Sequence, residues 1–241
     1  MLFALALLLS SMALGSPLPW AVHAPVAAQP QPLAAPDCAA HPARTPLECG
    51  CDKITAPPHY NLTFTTSAGD FTVQVERAVA PIGADRLYAM SKCGDYLGAS
   101  HEKGNEGGFF RVVPGFVVQW GISGLPAVSQ AWESLVLPNE AKPSSLSNVR
   151  GTLAYAAEQD ASGMACNRTT QIFVNFGDNS RLDALGFSVI GKIAEADMAG
   201  VVDKLNAKWG EQPDQDQIYA QGNAYLQKSF PGLSYALSTH L

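Results

Sequence analysis

The stretch GGFFRVVPGFVVQWGISG, residues 107–124, runs apolar on both sides of a Pro114-Gly115 pair and carries one arginine in its first half. Valine-rich and aromatic runs of this length flanking a Pro-Gly pair predict two β-strands joined by a tight turn. Side chains alternate between the faces of a straight strand, which puts Phe109, Arg111 and Val113 on one side and Phe110 and Val112 on the other. One face is then core, and the other presents a guanidinium. The simplest account of that arginine is an ordinary solvent-facing residue of a half-buried sheet.

Upstream, NLTFTTSAGDFTVQVE (61–76) alternates apolar and polar residues around Ala68-Gly69-Asp70, the pattern of a β-hairpin. APIGADRLYAMSKCGDYL (80–97) places Ile82, Leu87 and Met90 at helical spacing, with Gly94 as a stop signal. After the quoted hairpin, residues 122–148 read as an irregular insert. RGTLAYAAE (150–158), TTQIFVNFGD (169–178) and FSVIGKI (187–193) follow as strands, with a polar turn from Asn179 to Asp183. MAGVVDKLNAKW (198–209) reads as a second amphipathic helix through Met198, Val201, Val202 and Leu205. The tail from Gly210 reads as a short helix ended by Pro231-Gly232, packed through Ile218, Tyr225, Leu226 and Phe230. Many short strands with two principal helices predict a β-dominated closed sheet, because parallel α/β folds need a helix after nearly every strand.

The chain has 241 residues, 47% hydrophobic and 15% charged, which supports a real core. A net charge of -6 with lysine and arginine scattered as singles excludes a nucleic-acid footprint. MLFALALLLSSMALGS (1–16) predicts an export signal within residues 1–24, cleaved after Gly15 or Ala24. The alternative is an uncleaved membrane anchor, but an apolar core of about 13 residues is short of the ~20 that span a bilayer, and no membrane association is expected after cleavage. Residues 25–58, rich in Pro and Ala, read as a flexible Cys-containing arm. Export permits disulfides, and Cys38, Cys49 and Cys51 lie close enough to pair with one another or with the domain; five cysteines leave one over. The C-x-C at 49–51 lacks a second Cys/His pair at ligand spacing, so no metal is expected. Asn61 and Asn167 begin glycosylation sequons.

Familiar catalytic constellations are missing. No G-x-S-x-G elbow appears, His23, His41, His59, His101 and His240 stand apart, DNSRLD lacks the glycine and terminal glutamate of a Ca²⁺ loop, and GISG is no phosphate cradle. What remains is Arg111, with Gln119 eight residues later, among aromatic and aliphatic neighbours.

At these residues the chain resembles the cyclophilins, a family of peptidyl-prolyl cis/trans isomerases. FFRVVPGFVVQWG (109–121) matches the family's F-[HF]-R-[VI]-[IV]-P-G-F-M-x-Q-G-G signature, TTQIFVNFGDNSRLD (169–183) its S-Q-F-F-I segment and L-D turn, and FSVIGKI its V-F-G-K-V strand. The resemblance covers residues 60–207, and PNEAKPSSLSNVRGTLAYA (138–156) is most similar to bacterial, plastid-lineage and secreted members. It implies a mainly β fold, an eight-stranded closed antiparallel barrel capped by two helices. It further implies an isomerase domain over 59–209, leaving 210–241 as a C-terminal extension, with no cofactor and with proline-containing polypeptides as partners.

Carried over residue by residue, the resemblance makes Arg111 the catalytic arginine and Phe116, Phe173 and Leu182 the walls of a proline pocket. Gln119 and Gln171 fall at polar positions of the family, and the Ala156 backbone lines the substrate groove. Val117 replaces a frequent Met, which widens the pocket slightly. Ala157 stands where many members have Asn, a contact made largely by main chain, and the EQDASGMACNR loop (158–168) departs from the usual sequence. Arg181 replaces the Trp or Phe that closes the pocket edge, so weak binding of cyclosporin-type macrocycles is expected. Together with the export signal read at residues 1–24, the resemblance implies an exported isomerase, secreted, lumenal or periplasmic. The alternative is a cyclophilin-fold binding or scaffold protein of low turnover.

Overall fold

The computed structural model describes residues 46–47, 49–93, 104–140 and 144–241. The stretch read as an export signal, most of the arm, Cys38, Gly94 and His101 lie outside the described residues. Among the described residues the strands are β1 (His59–Thr66), β2 (Gly69–Glu76), β3 (Gly107–Gly108), β4 (Arg111–Val113), β5 (Val117–Trp120), β6 (Thr152–Tyr155), β7 (Glu158–Gln159), β8 (Ala165–Cys166), β9 (Ile172–Asn175), β10 (Val189–Ile193) and β11 (Tyr235–His240). The helices are α1 (Pro81–Lys92), α2 (Pro126–Glu133), α3 (Glu195–Gly200), α4 (Gln215–Gln221) and α5 (Asn223–Ser229).

Nine strands form one sheet in the order β3-β11-β1-β2-β10-β6-β9-β5-β4, and β7 pairs only with β8. Every pairing is antiparallel. The two ends of that order, β3 and β4, are parts of one run of chain separated only by Phe109 and Phe110. Counted as one bent strand they give the expected eight strands, in one curled antiparallel sheet.

That bend corrects the straight-strand reading of residues 107–113. Phe110 donates its N–H to the Gly108 carbonyl at 2.9 Å, and Phe109 donates to Ser234 O at 2.9 Å. The chain thus stays on β11 up to Phe109 and then swings onto β5, where Arg111 faces Gln119. Phe109 consequently joins Val112 in the main core instead of sharing a face with Arg111. Phe110 packs in a second cluster against Ile218, Leu226, Phe230 and Leu233.

Alternation holds in the hairpin, where Leu62 and Phe64 on β1 and Phe71, Val73 and Val75 on β2 are all buried. Phe64 and Phe109 meet the Trp120 ring with centroids 5.4 and 5.0 Å apart, non-parallel arrangements that suit the ring quadrupoles. Helix α1 opens on Pro81, whose missing N–H costs nothing in a first turn, and buries Ala84, Leu87 and Met90. The Glu140 carboxylate accepts from the N–H groups of Ile82 and Gly83 at 3.2 and 2.8 Å, satisfying two donors that a helix start leaves unpaired. Glu140 in turn pairs with Arg168 at 3.5 Å, the two side chains 2% and 1% exposed.

Other differences follow from local chemistry. The insert expected to be irregular holds α2, which opens on Pro126 and buries Trp132. The helix expected over 198–209 stops as α3 at Gly200, because Val201 (φ -132°, ψ -57°) leaves helical geometry; Met198, Val202 and Leu205 are nevertheless buried. Gly222, at φ +58°, splits the tail helix into α4 and α5. Beyond them β11 pairs with β1 and β3, so residues read as an extension supply a strand of the sheet. The end of the presumed flexible arm is also docked. Cys49, Cys51, Ile54 and Ala56 are buried, Cys51 is bonded to Cys93 at the end of α1, and Cys49 is disulfide-bonded as well. Cys166 is free.

Candidate active site

The turn between β4 and β5 sets the site. Gly115 takes φ +77°, a backbone conformation open to glycine, and Phe116 N–H closes the turn on Val113 O at 3.0 Å. The Phe116 carbonyl then accepts from Phe176 N and Asn179 Nδ2, both at 2.9 Å, which fixes the residue at the mouth of the sheet. Across the strands, Arg111 faces Gln119, Gln119 faces Phe173, and Phe173 faces Ala154. Four neighbouring strands thereby present one row of side chains on the side away from the main core. Because strand side chains repeat every second residue, Val117 and Gln171 join the same face.

All nine residues singled out in the sequence line one cavity of about 740 Å³: Arg111, Phe116, Val117, Gln119, Ala156, Ala157, Gln171, Phe173 and Leu182. Its floor is a separate apolar cluster of Val117, Ala154 and Phe173, with Phe116, Ala156, Leu182 and Phe187 packed on it. Phe187 meets Phe173 edge to face at 6.1 Å. Phe187 was missed in the sequence, although it opens the FSVIGKI strand. Arg181 does not line the cavity; its guanidinium lies 4.9 Å from the Phe116 ring centroid and its Nη1 donates to Asn179 Oδ1 at 3.2 Å. Arg111 reaches the same ring at 5.4 Å.

The polar edge is a directed chain of hydrogen bonds. Arg111 Nη1 donates to Gln119 Oε1 at 3.2 Å, and Gln119 Nε2 donates to Gln171 Oε1 at 2.7 Å. Gln171 Nε2 donates to Gln215 Oε1 at 3.0 Å and to Tyr219 Oη at 3.2 Å. Burial raises the Tyr219 phenol above its ordinary pKa, so it stays neutral. Arg111 Nε also donates to Glu211 Oε1 at 2.6 Å, and its Nη2 is ion-paired with the same oxygen. Glu211, Gln215 and Tyr219 were not found in the sequence, since only folding brings a segment 100 residues downstream onto Arg111.

The departing loop forms the β7–β8 ribbon, whose Glu158, with Asn167 just beyond it, lines the cavity, Asn167 Nδ2 donating to Glu158 Oε2 at 2.8 Å. At the far end, the Asp183 carboxylate accepts from Asn148 N and Nδ2 at 2.9 and 2.7 Å and from Ser147 Oγ. Burial pushes the Asp183 pKa up, but these hydrogen bonds outweigh it and hold the group below its ordinary 3.8. Asn148 Nδ2 donates onward to Phe187 O at 2.7 Å, so this node braces the wall formed by Leu182 and Phe187. Among the described residues, no three His, Cys, Asp or Glu side chains are grouped as metal ligands. The arrangement is an apolar seat for a compact ring beside fixed N–H donors.

A family model described as cyclophilin type peptidyl-prolyl cis-trans isomerase/CLD matches residues 61–222. The peptidyl-prolyl cis-trans isomerase A of Dickeya dadantii is 31% identical over 152 residues, spanning 61% of this chain and 70% of that protein. A peptidyl-prolyl cis-trans isomerase of Acinetobacter baylyi is 31% identical over 144 residues, 58% and 68% of the two chains. Among solved structures, cyclophilin AquaCyp293 from Hirschia baltica is similar with a TM-score of 0.50 at 14% identity, covering 77% of this chain and 75% of that one, a likeness of fold.

Proposed function

The chain belongs to the family of cyclophilin-type peptidyl-prolyl cis-trans isomerases, and from that premise we propose that it accelerates Xaa-Pro rotation in exported, incompletely folded polypeptides, with Arg111 as the catalytic residue. The observation that carries the assignment of residues is the single cavity joining Arg111 to the apolar walls Phe116, Phe173 and Leu182. Export is supported by the apolar run at residues 1–13 and by the Cys51–Cys93 disulfide, since such bonds persist in oxidising compartments.

Rotation about an Xaa-Pro bond crosses a barrier of roughly 20 kcal/mol because amide resonance must be broken, and uncatalysed it takes about 10 to 100 s. Reaching milliseconds needs about 10⁴ to 10⁵-fold acceleration, or roughly 6 to 7 kcal/mol. No bond is made or cut and no proton is permanently moved, so neither nucleophile nor acid/base pair is required. In the twisted state the prolyl nitrogen turns pyramidal and gains a lone pair. A fixed N–H donor aimed there stabilises that state more than the planar ground state. A guanidinium supplies such donors and stays charged. The proline ring seats on Phe173 and Val117 between Phe116 and Leu182, which keeps water from screening the bond. The Ala156 and Ala157 backbone holds the flanking peptide, while Gln119 and Gln171 align the guanidinium and the substrate carbonyls. With Arg181 in place of an aromatic edge, cyclosporin-type macrocycles bind weakly.

A second reading, a low-turnover module that binds Pro-containing segments, is favoured by Ala157 and Arg181 at two positions where family members carry other side chains. Refolding of a test protein whose slow phase is limited by proline isomerisation separates the two. The isomerase reading expects that phase to speed up at substoichiometric amounts of the chain. An unchanged phase, with Pro peptides still bound, would favour the module.

A further inference from the structure

The residues around Arg111 do not come from the barrel strands alone. Val112, the neighbour of Arg111 on β4, donates its N–H to the carbonyl of Gly210 at 3.0 Å. Gly210 N donates to Ala207 O at 3.2 Å and Gln212 N to Trp209 O at 2.9 Å, so the backbone on both sides of Glu211 is held in a turn. Trp209 is anchored edge-on to Phe230 at 5.4 Å, within the second apolar cluster. Asp214 then starts α4, accepting from Gln217 N at 3.0 Å, and its own N–H donates to Tyr225 Oη at 3.2 Å. Glu211 is therefore delivered to Arg111 by a built stretch of backbone.

Its effect on Arg111 can be counted. A guanidinium has five N–H donors. Glu211 takes the Nε donor and one on Nη2, and Gln119 takes one on Nη1. Two remain, one on each terminal nitrogen. At the other end of the chain of amides, Gln215 and Tyr219 on α4 accept from Gln171, which holds Gln119. The same segment thus fastens both ends of the row that faces the apolar seat.

We propose that Glu211 is a positioning residue for Arg111, and that residues 210–219 complete the active site by clasping the Arg111–Gln119–Gln171 row from both ends. The inference rests on the isomerase reading. An exposed ion pair adds little to stability: Arg111 and Glu211 side chains are 31% and 58% exposed. Its value is orientation. A long side chain restricted to one pose keeps its two open donors aimed, and misplacement of a reacting group by about 1 Å can cost about a hundredfold in rate. Proline itself seats on apolar walls that Glu211 does not touch, so the loss falls on turnover more than on binding.

The test is NMR exchange of an Ala-Pro peptide with full-length chains carrying Glu211→Ala, Glu211→Gln, Arg111→Ala, and Arg111→Ala with Glu211→Ala. Glu211→Ala is expected to lower kcat about tenfold with KM within about twofold, and Glu211→Gln, which keeps an acceptor, to recover most of it. In the Arg111→Ala background the second substitution is expected to change nothing further, because the effect travels through Arg111. Unchanged or faster exchange in Glu211→Ala overturns the proposal, as does a full loss that persists without Arg111. The Arg111 Nε–H resonance is read in parallel: a resolved signal in the parent that broadens away in Glu211→Ala is expected, and a signal indifferent to Glu211 refutes the clasp. An inactive parent whose Nε–H still responds to Glu211 would defeat the isomerase reading while leaving the clasp standing.

Discussion

Two arginine–glutamate pairs in this molecule have the same chemistry and opposite surroundings. Arg168 and Glu140 sit with side chains 1% and 2% exposed, and Glu140 is further committed to the first N–H groups of α1. Arg111 and Glu211 sit at the rim of the groove, 31% and 58% exposed. Water decides what each pair can do. A buried pair cannot lose one member without stranding the other in a poor solvent, so the first ties the 122–148 insert, α1 and the loop after β8 into one body. The second pair is cheap to disturb thermodynamically and leaves donors free toward a cavity, which suits a group that must meet a substrate.

The largest expected effect lies in the buried pair. Arg168→Ala is expected to destabilise the fold by about 3 to 5 kcal/mol in urea denaturation, whereas Arg168→Met with Glu140→Gln should cost much less, since neither charge is then left alone. A single substitution costing under about 1 kcal/mol would remove the contrast between the pairs. Next comes the staple at the end of α1. Cys51→Ser with Cys93→Ser opens a link between residues 42 apart in sequence and should cost about 2 to 4 kcal/mol, read from the denaturant midpoint, with the groove chemistry unaffected in the folded fraction.

Asp183 is an exposed carboxylate that braces the groove wall through Ser147 and Asn148. Its folded pKa lies below its ordinary value, so its stabilisation is present above that ordinary value and is lost as pH falls through the depressed one. Acid titration of the unfolding midpoint should therefore show a steeper fall below about pH 4 in the parent than in Asp183→Asn. Parallel curves would show that the Ser147 and Asn148 hydrogen bonds do not favour the ionised form. The smallest effect on stability is expected at the rim, where Arg111→Ala should shift the midpoint by the equivalent of under about 1 kcal/mol.

How much of this was legible depended on where the interactions lie along the chain. The β1–β2 hairpin was readable because Leu62, Phe64, Phe71 and Val73 alternate with polar residues within one local segment. The groove residues Arg111, Phe116, Gln119, Gln171 and Phe173 were readable as motifs, and the register of β4, β5 and β9 sets them side by side. The bend at Phe109–Phe110 was not, because strand periodicity presumes a straight strand and nothing in two adjacent phenylalanines announces a change of partner. Strand β11 was missed because its buried residues include Ser238 and Thr239 in place of an alternating apolar series. Glu211, Gln215 and Tyr219 had no signal of their own: their meaning appears only once Gly210 is hydrogen-bonded to the strand that carries Arg111.

Whether the rim arginine serves rotation and not stability is read from cis/trans exchange of Ala-Pro and Leu-Pro peptides followed by NMR with the parent chain and Arg111→Ala. Loss of about two decades or more of catalysed exchange is expected, with the variant folded and the peptide still shifting Phe116 and Phe173 signals. Equal exchange by both proteins would contradict the claim and return Arg111 to the role of a surface residue.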